Sequence, residues 1–201
     1  MPSRKVTKRA FLTALGCSTR AWFALGEQGG APTPADLLRM QEGQDVHRRA
    51  QSLHPNGVFA GSIEKTKQLI LGRAVEVIFE AAFTVDGYTA RADWIRRVKG
   101  GWVIGEIKSS LFNEDGPKDE HLEDLAYTLM VARRSGLPVK DCELVLMNRD
   151  WRLGMPDADL FVVTDHTAKV MPIVDEFTRL WDRVAPLLQR RSKPSTHWCR
   201  E

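Results

Sequence analysis

The chain has 201 residues, 43% of them hydrophobic and 27% charged, which is enough to bury one core and predicts a single domain over residues 1–201. Its formal net charge of +3 is mild, so affinity for nucleic acid has to come from local clusters of Lys and Arg. The sequence has no apolar run near the roughly 20 residues of a membrane span, no signal-peptide pattern and, with three scattered cysteines, no disulfide framework. We therefore expect a cytoplasmic protein with no membrane partner.

Helical patterns dominate the first part of the chain. Thr7 is a candidate N-cap for a helix over residues 8–25, and Thr33, followed by Pro34, begins a second helix. Ser62 begins a third predicted helix over residues 62–83, whose apolar stripe would pack on a sheet. Glu80 falls on this third helix, where acids at i, i+4 spacing usually face solvent. Residues 1–60 are thus predicted to form an N-terminal helical region of the domain.

Strand patterns begin after this third helix. Residues 91–108 predict a hairpin around a Gly-Gly turn, and residues 142–147 and 159–163 predict two further strands. A helix is expected over residues 120–134 and a last amphipathic helix over residues 167–190. Helices that precede and follow a small mixed sheet predict an α/β or α+β fold in one layered domain.

The hairpin brings charged residues onto a half-buried surface. If Gly100 and Gly101 are the two central turn residues, Asp93 lies opposite Lys108 and diagonal to Glu106. The backbones of the two acids are then about 7–8 Å apart, close enough for both carboxylates to reach one cation. For an isolated Glu-X-Lys, an exposed face with ion pairs is the usual explanation, and here the Asp on the neighbouring strand and the apolar residues 102–104 favour a site. The other face is apolar and is expected against the core, with Ala92, Trp94, Val98, Val103 and Ile107.

The hairpin residues resemble a known nuclease motif. Asp93, followed by Glu106-Ile107-Lys108, resembles the D…ExK core of the PD-(D/E)XK nuclease superfamily, and Gly43-Gln-Asp-Val-His47 is similar to the GxxxH motif of its RecB-like branch. The resemblance implies a restriction-endonuclease-like mixed central sheet flanked by helices, as one nuclease-like domain. It also implies catalytic roles for Asp93, Glu106 and Lys108, and a Mg or Mn ion held by His47, Asp93, Glu106 and the Ile107 carbonyl.

The first predicted helix resembles a different feature of that branch. Residues 11–25, with Cys17, are similar to the cysteine-bearing first helix of its iron-sulfur members, which include the CRISPR-associated exonucleases. A 4Fe-4S cluster takes four thiolates, and this chain offers only Cys17 early and Cys199 late, because Cys142 falls in a predicted strand. A cluster is therefore expected only if other groups supply ligands. The alternative is a chain truncated in its C-terminal cysteine region, residues 192–201, with a domain missing downstream.

The nucleic-acid contacts expected from the sequence surround the hairpin. Arg91, Arg97 and Lys99 are candidates for guiding a phosphate backbone, and Trp102 for stacking on a base. Most tryptophans of such a chain are core residues, and His47 without its motif would be read as a polar-face histidine.

Two functions remain open at this point. The first is a metal-dependent deoxyribonuclease that hydrolyses DNA phosphodiester bonds, by resemblance on single strands or ends, with repair, recombination and defence equally open as its setting. The second is a catalytically degenerate nuclease-fold module that binds nucleic acid or a protein partner. RecB-like nucleases usually carry a Gln and a Tyr four residues apart after ExK, and Thr128 and Ala132 stand at those places, which favours the second function. The intact set of His47, Asp93, Glu106 and Lys108 favours the first, which is the leading hypothesis.

Overall fold

A mixed six-stranded sheet forms the centre of the protein. The computed structural model describes residues 5–25, 31–188 and 190. The strands have the same order in space as in the chain: β1 (Val58–Phe59), β2 (Val77–Val85), β3 (Tyr88–Val98), β4 (Gly101–Leu111), β5 (Val139–Met147) and β6 (Phe161–Asp165). Neighbours β1 and β2 are parallel, as are β4 and β5, and the other pairs are antiparallel.

Helices cover both faces of this sheet. They are α1 (Lys8–Gly16), α2 (Ser18–Ala24), α3 (Pro34–Ala50), α4 (Ile63–Gly72), α5 (Asp119–Arg134) and α6 (Thr167–Leu188). One face packs Phe11 of α1, Leu125 of α5 and Trp181 of α6 into a single core. The opposite face packs Val46 of α3 against Trp94 and Val145. The predicted fold class, a mixed central sheet flanked by helices, is confirmed.

The first predicted helix is divided at Cys17. Thr7 caps α1 as expected, because its hydroxyl accepts a hydrogen bond from the Ala10 N–H at 3.3 Å. Cys17 then adopts an extended conformation, φ −154° and ψ 108°, which ends α1. Its Sγ accepts a hydrogen bond from the Arg20 N–H at 3.4 Å and so caps α2. The single helix predicted over residues 8–25 is therefore wrong, because an uncharged side chain inside the apolar pattern serves as a cap.

The third predicted helix is correct only in its first half. Ser62 caps α4, but α4 ends at Gly72, where Arg73 takes the left-handed conformation with φ 53°. The chain from Val77 onward is strand β2. Its β-branched and aromatic residues pack on both faces of the sheet, and this tertiary packing decides between two patterns that a short apolar run cannot distinguish.

The hairpin forms with a register different from the predicted one. Val98 pairs with Gly101 and Trp94 with Gly105, so Lys99 and Gly100 are the central turn residues. The positive φ of Gly100, 78°, fits this turn. Because the shift is two residues, Trp94, Val98, Val103 and Ile107 stay together on one face as predicted, whereas Ala92 packs in the opposite core.

The remaining elements lie close to their predicted bounds. Helix α5 begins at Asp119, β5 and β6 cover most of the two strand runs, and α6 ends at Leu188 with Pro172 and Pro186 inside it. Thr33 and Asp36 form a reciprocal capping box at the start of α3. Among the described residues, no helix combines the length and apolar character needed to span a bilayer.

Candidate metal centre

The site forms where β3 leaves β4. Strand β3 pairs with β4 only from Trp94 to Val98, and its first half pairs with β2 and, at Tyr88, with Val6. On β2, Phe79 and Ala81 pair with Trp94 and Ala92, so Glu80 and Asp93 lie between two pairs at an irregular point of the ladder. Strand β3 therefore parts from β4 at Asp93, beside Glu80 of β2.

The sheet loses its regular alternation at the same point. Ile78 and Ala81 of β2, three residues apart, belong to one core cluster, as do Ala92 and Ile95 of β3. In a regular strand, residues three apart face opposite sides of the sheet. Glu80 has a φ of 52°, in the left-handed region that costs a side chain roughly 1–2 kcal/mol. Backbone strain of this kind clusters at functional sites, where the surrounding structure maintains it.

His47 of α3 lies next to the Glu80 and Asp93 carboxylates. It lies near the end of α3, next to Val46, whose burial in the core fixes this part of the helix. Its Nδ1 is 3.7 Å from Asp93 Oδ1, and one ligand atom each from His47, Glu80 and Asp93 lie within 4.8 Å of one another. Burial lowers the pKa of His47 more than Glu80 and Glu106 raise it, so the ring is neutral at neutral pH and can offer a lone pair.

Asp93 is hydrogen-bonded to β4, the strand that carries Glu106 and Lys108. The Ile107 N–H donates a hydrogen bond to Asp93 Oδ2 at 2.6 Å. Burial raises the pKa of Asp93 well above its ordinary value, and the neighbouring Glu106 carboxylate raises it further. A cation beside Asp93 would favour its charged form.

Glu106 is the most deeply buried charged residue of the site, with 4% of its surface exposed. Its Oε1 accepts hydrogen bonds from Lys8 at 2.9 Å and from Lys108 at 3.0 Å. Its Oε2 is buried and has no hydrogen-bond partner among the described residues. A buried carboxylate oxygen without a partner is costly, and a divalent cation would satisfy it. The residues present thus fit a hard cation such as Mg²⁺ or Mn²⁺, which prefers carboxylate and carbonyl oxygens.

Lys108 lies between two carboxylates. It donates hydrogen bonds to Glu106 on its own strand and to Asp124 of α5. Burial lowers the pKa of Lys108, but Glu106 and Asp124 together outweigh burial and raise that pKa, so the side chain is an ammonium at neutral pH. Thr128 and Ala132 of α5 lie in the core: Thr128 donates to the Asp124 carbonyl at 3.1 Å, and both residues are fully buried.

Three site residues were not found by sequence reasoning: Lys8, Glu80 and Asp124. Glu80 was assigned to a helix instead of a strand. For Asp124, its position one turn before Thr128 on the helix after ExK is a usable signal. For Lys8 the sequence carries no signal, because its contact with Glu106 joins residues that are far apart in the chain.

The predicted nucleic-acid contacts separate into two groups. Arg91 lies at the site, with Nη1 3.4 Å from Glu80 Oε2. Trp102 is only 3% exposed, and the Arg97 guanidinium lies 4.2 Å above its ring, so this indole has no face available for a base. Arg97 also donates to the Ile70 and Val75 carbonyls. Lys99 is in the turn, six residues from Asp93, or about 20 Å at the usual rise of a strand. The structure therefore does not bring Arg97, Lys99 and Trp102 to the site.

The iron-sulfur prediction stays a prediction. Cys199 lies outside the described residues, and Cys17 caps α2. Cys142 is fully buried in β5, and burial raises the pKa of its thiol to about 12, as expected for a core cysteine.

No protein-family model and no curated protein match the chain. Solved structures do. The alkaline exonuclease LHK-Exo from Laribacter hongkongensis is 16% identical, with 91% of each chain covered and a TM-score of 0.45. LHK-Exo in complex with dAMP is 15% identical, with 92% of this chain and 89% of that chain covered and a TM-score of 0.49. The structure of SSO0001 is 14% identical, with 90% and 78% covered and a TM-score of 0.41.

Proposed function

We propose that the chain is a metal-dependent nuclease that hydrolyses phosphodiester bonds of DNA, in single strands or at ends. The observation that carries this proposal is the buried Glu106 carboxylate, whose Oε2 lacks a partner among the described residues while Asp93 and Lys108 lie beside it. A purely structural ion pair would satisfy both oxygens of so buried a carboxylate. A site that receives a cation and a substrate phosphate explains the arrangement.

The proposed roles follow from the positions of the side chains. Asp93, Glu106, the Ile107 carbonyl and His47 would hold Mg²⁺ or Mn²⁺, and Glu80 is close enough to His47 and Asp93 to join them. The ion supplies positive charge at the phosphate and a more nucleophilic water. A nitrogen ligand from His47 favours Mn²⁺ relative to an all-oxygen site.

Lys108 supplies a second positive charge. Because it donates hydrogen bonds to Glu106 and Asp124, it is an ammonium, and we assign it the orientation of the attacking water and the neutralisation of phosphate charge. It is not suited to the role of general base in this state. Asp124 would hold this ammonium in position, as an acceptor one helix turn before Thr128.

One observation favours a second candidate function, a nuclease-fold module that binds nucleic acid or a protein without cutting. Thr128 and Ala132 are buried in the core, so α5 presents no Gln or Tyr at those positions to orient a substrate. Asp124 also engages Lys108 and would compete with a phosphate for its hydrogen bonds. In that case the site would bind metal and nucleic acid, but cleavage would be absent.

The test is cleavage of end-labelled single-stranded and duplex DNA by the purified full-length chain in Mg²⁺, in Mn²⁺ and in EDTA. Glu106→Gln removes the charge at almost constant shape. Glu143→Gln is the matched control, because Glu143 is also a partly buried carboxylate in an ion pair, with Arg96 at 2.8 Å. Cleavage that requires metal, is lost in Glu106→Gln and persists in Glu143→Gln supports the nuclease. Metal binding by a folded wild type that never cuts supports the binding module.

A further inference from the structure

A groove beside the metal centre carries basic side chains that the proposed chemistry does not use. It has a volume of about 640 Å³ and lies between the first residues of α4, strand β3 and the start of the chain. Among the described residues, three basic ones line it, Lys5, Lys8 and Arg91, against a single acid, Glu64. A groove with this excess of positive charge next to a proposed phosphodiesterase site suits a phosphate backbone.

Two of these three cations are held by carboxylates of the metal centre. Lys8 Nζ is 2.9 Å from Glu106 Oε1 and 3.6 Å from Asp124 Oδ2. Arg91 reaches Glu80 at 3.4 Å. A divalent ion at Glu106 Oε2 and at Glu80 would neutralise the carboxylate charge that holds Lys8 and Arg91 and would repel both cations.

The contact of Lys8 with Glu106 is easily exchanged. Lys8 and Lys108 both donate to the same carboxylate oxygen, at 2.9 and 3.0 Å, so two ammonium groups lie close together and repel each other. The Lys8 side chain is 30% exposed and already lines the groove, so it can turn toward the groove without being buried first. Lys108 is held in addition by Asp124 and is the one expected to stay.

We propose that this groove binds phosphates of the DNA strand next to the cleaved bond, and that a divalent ion at the carboxylates strengthens this binding by releasing Lys8 and Arg91. The proposal rests on the proposed nuclease function, because the groove serves the same site. Each released cation then pairs with a phosphate oxygen of the strand. Binding of the ion and binding of DNA are therefore coupled, and the coupling is reciprocal.

The test uses Ca²⁺, a hard cation that takes oxygen ligands, and a short fluorescein-labelled single-stranded DNA. Fluorescence anisotropy gives the DNA affinity of the full-length chain in Ca²⁺ and in EDTA, and a denaturing gel verifies that the strand stays intact. If the strand is cut, the measurement is repeated with a phosphorothioate strand that resists hydrolysis. Calorimetry gives the Ca²⁺ affinity without DNA.

For the wild type we expect Ca²⁺ to tighten DNA binding about tenfold, in the usual range of coupling between two sites. Lys8→Gln should bind DNA in EDTA within about twofold of the wild type, yet show little of the gain in Ca²⁺. Its slope of log K against log salt in Ca²⁺ should be shallower by about 0.7, the value for one fewer phosphate neutralised on a single strand. Arg91→Gln should show the same loss of the Ca²⁺-dependent gain in DNA affinity. Lys99→Gln, in the distant turn, should bind DNA as the wild type does in both Ca²⁺ and EDTA.

The Ca²⁺ affinity of Lys8→Gln without DNA separates this role from a structural one. Removing the competing ammonium should raise that affinity about three- to tenfold, whereas a variant that merely disturbs the fold would lower it. The proposal is overturned if Lys8→Gln weakens DNA binding equally in Ca²⁺ and EDTA, or if its Ca²⁺ affinity falls. A chain that shows the coupling but never cuts DNA contradicts the proposed nuclease function and supports the proposed role of the groove. A chain that cuts while Lys8→Gln and Arg91→Gln bind like the wild type contradicts the groove alone.

Discussion

Both ends of the β3–β4 hairpin carry charged residues near apolar ones, and the two ends differ in how completely those charges are paired. At the turn end, the Arg97 guanidinium stacks on Trp102 and donates to two backbone carbonyls. At the other end, Glu106 keeps an oxygen without a partner among the described residues, and Asp93 has a raised pKa. A charge near an apolar surface is therefore either structural or functional, and its hydrogen bonds distinguish the two. A structural charge is fully paired, whereas a functional one keeps an atom that a ligand can bind.

The largest expected effect compares a charge at each end of the hairpin. Glu106→Gln should lower cleavage by at least about a thousandfold, equivalent to roughly 4 kcal/mol of transition-state stabilisation, because it removes a metal ligand and the anchor of Lys108. Arg97→Gln should keep cleavage within about twofold and instead lower the melting temperature, since it removes a cation–π interaction and two hydrogen bonds. Rates at saturating metal and thermal melts measure both. Equal losses of activity in the two variants would break the comparison.

The second prediction concerns Glu80 and its left-handed backbone. Glu80→Gln should weaken Mn²⁺ binding about 10- to 100-fold, the range found when a group that supports a metal site is changed. Glu80→Gly should weaken it as much, but should also stabilise the fold by about 1 kcal/mol, because glycine adopts a φ of 52° without strain. Calorimetric Mn²⁺ titration and denaturant unfolding in EDTA test the pair. Unchanged Mn²⁺ affinity in both variants would exclude Glu80 from the centre.

The third prediction is a pH dependence of stability in EDTA. The pKa of Asp93 is raised in the folded state, so folding favours its protonated form. The associated stability is fully present below the ordinary pKa of an aspartate and is lost as the pH rises through the raised value. Asp93→Asn imitates the protonated form and keeps an oxygen for the Ile107 N–H.

At neutral pH, Asp93→Asn should therefore melt at a higher temperature than the wild type, by about 2–4 °C for each kcal/mol recovered. Its melting temperature should also vary less with pH. Melting curves across the acidic to neutral range in EDTA provide the measurement, and the gain should disappear in Mn²⁺, which favours the carboxylate. A variant less stable than the wild type at neutral pH would mean that Asp93 is charged and well paired in the fold.

Sequence reasoning predicted the residues with a local signal and missed those that depend on packing. The caps at Thr7 and Thr33 involve neighbours within three residues, and both were found. The register was misjudged, although Gly105 carried the information: a Cβ there would lie 1.9 Å from the Trp94 ring. A glycine inside a strand often marks such a close approach, and here it requires the pairing of Trp94 with Gly105.

The candidate site divides in the same way. Asp93, Glu106 and Lys108 belong to one hairpin, so they stay close together even when its register shifts by two residues. His47 was found through a motif and not through geometry. Lys8 meets Glu106 only because α1 packs beside α5, a long-range arrangement for which one sequence offers no pattern. Site residues that come into contact only through long-range packing therefore cannot be predicted from a single sequence.

The smallest expected effect is that of a substitution at Lys99, in the turn of the hairpin. Lys99→Gln removes an exposed charge about 20 Å from Asp93 along the strand, beyond a Debye length of about 8 Å at physiological salt. Its effect on cleavage and on the salt dependence of DNA binding should therefore be less than about twofold, and its melting temperature should not change measurably. Arg91→Gln, on the same strand but in contact with Glu80, is the matched variant that should alter DNA binding in Ca²⁺. If Lys99→Gln weakened DNA binding as much as Arg91→Gln, the strand would have to run along the whole hairpin, and the division between a structural end and a functional end would fail.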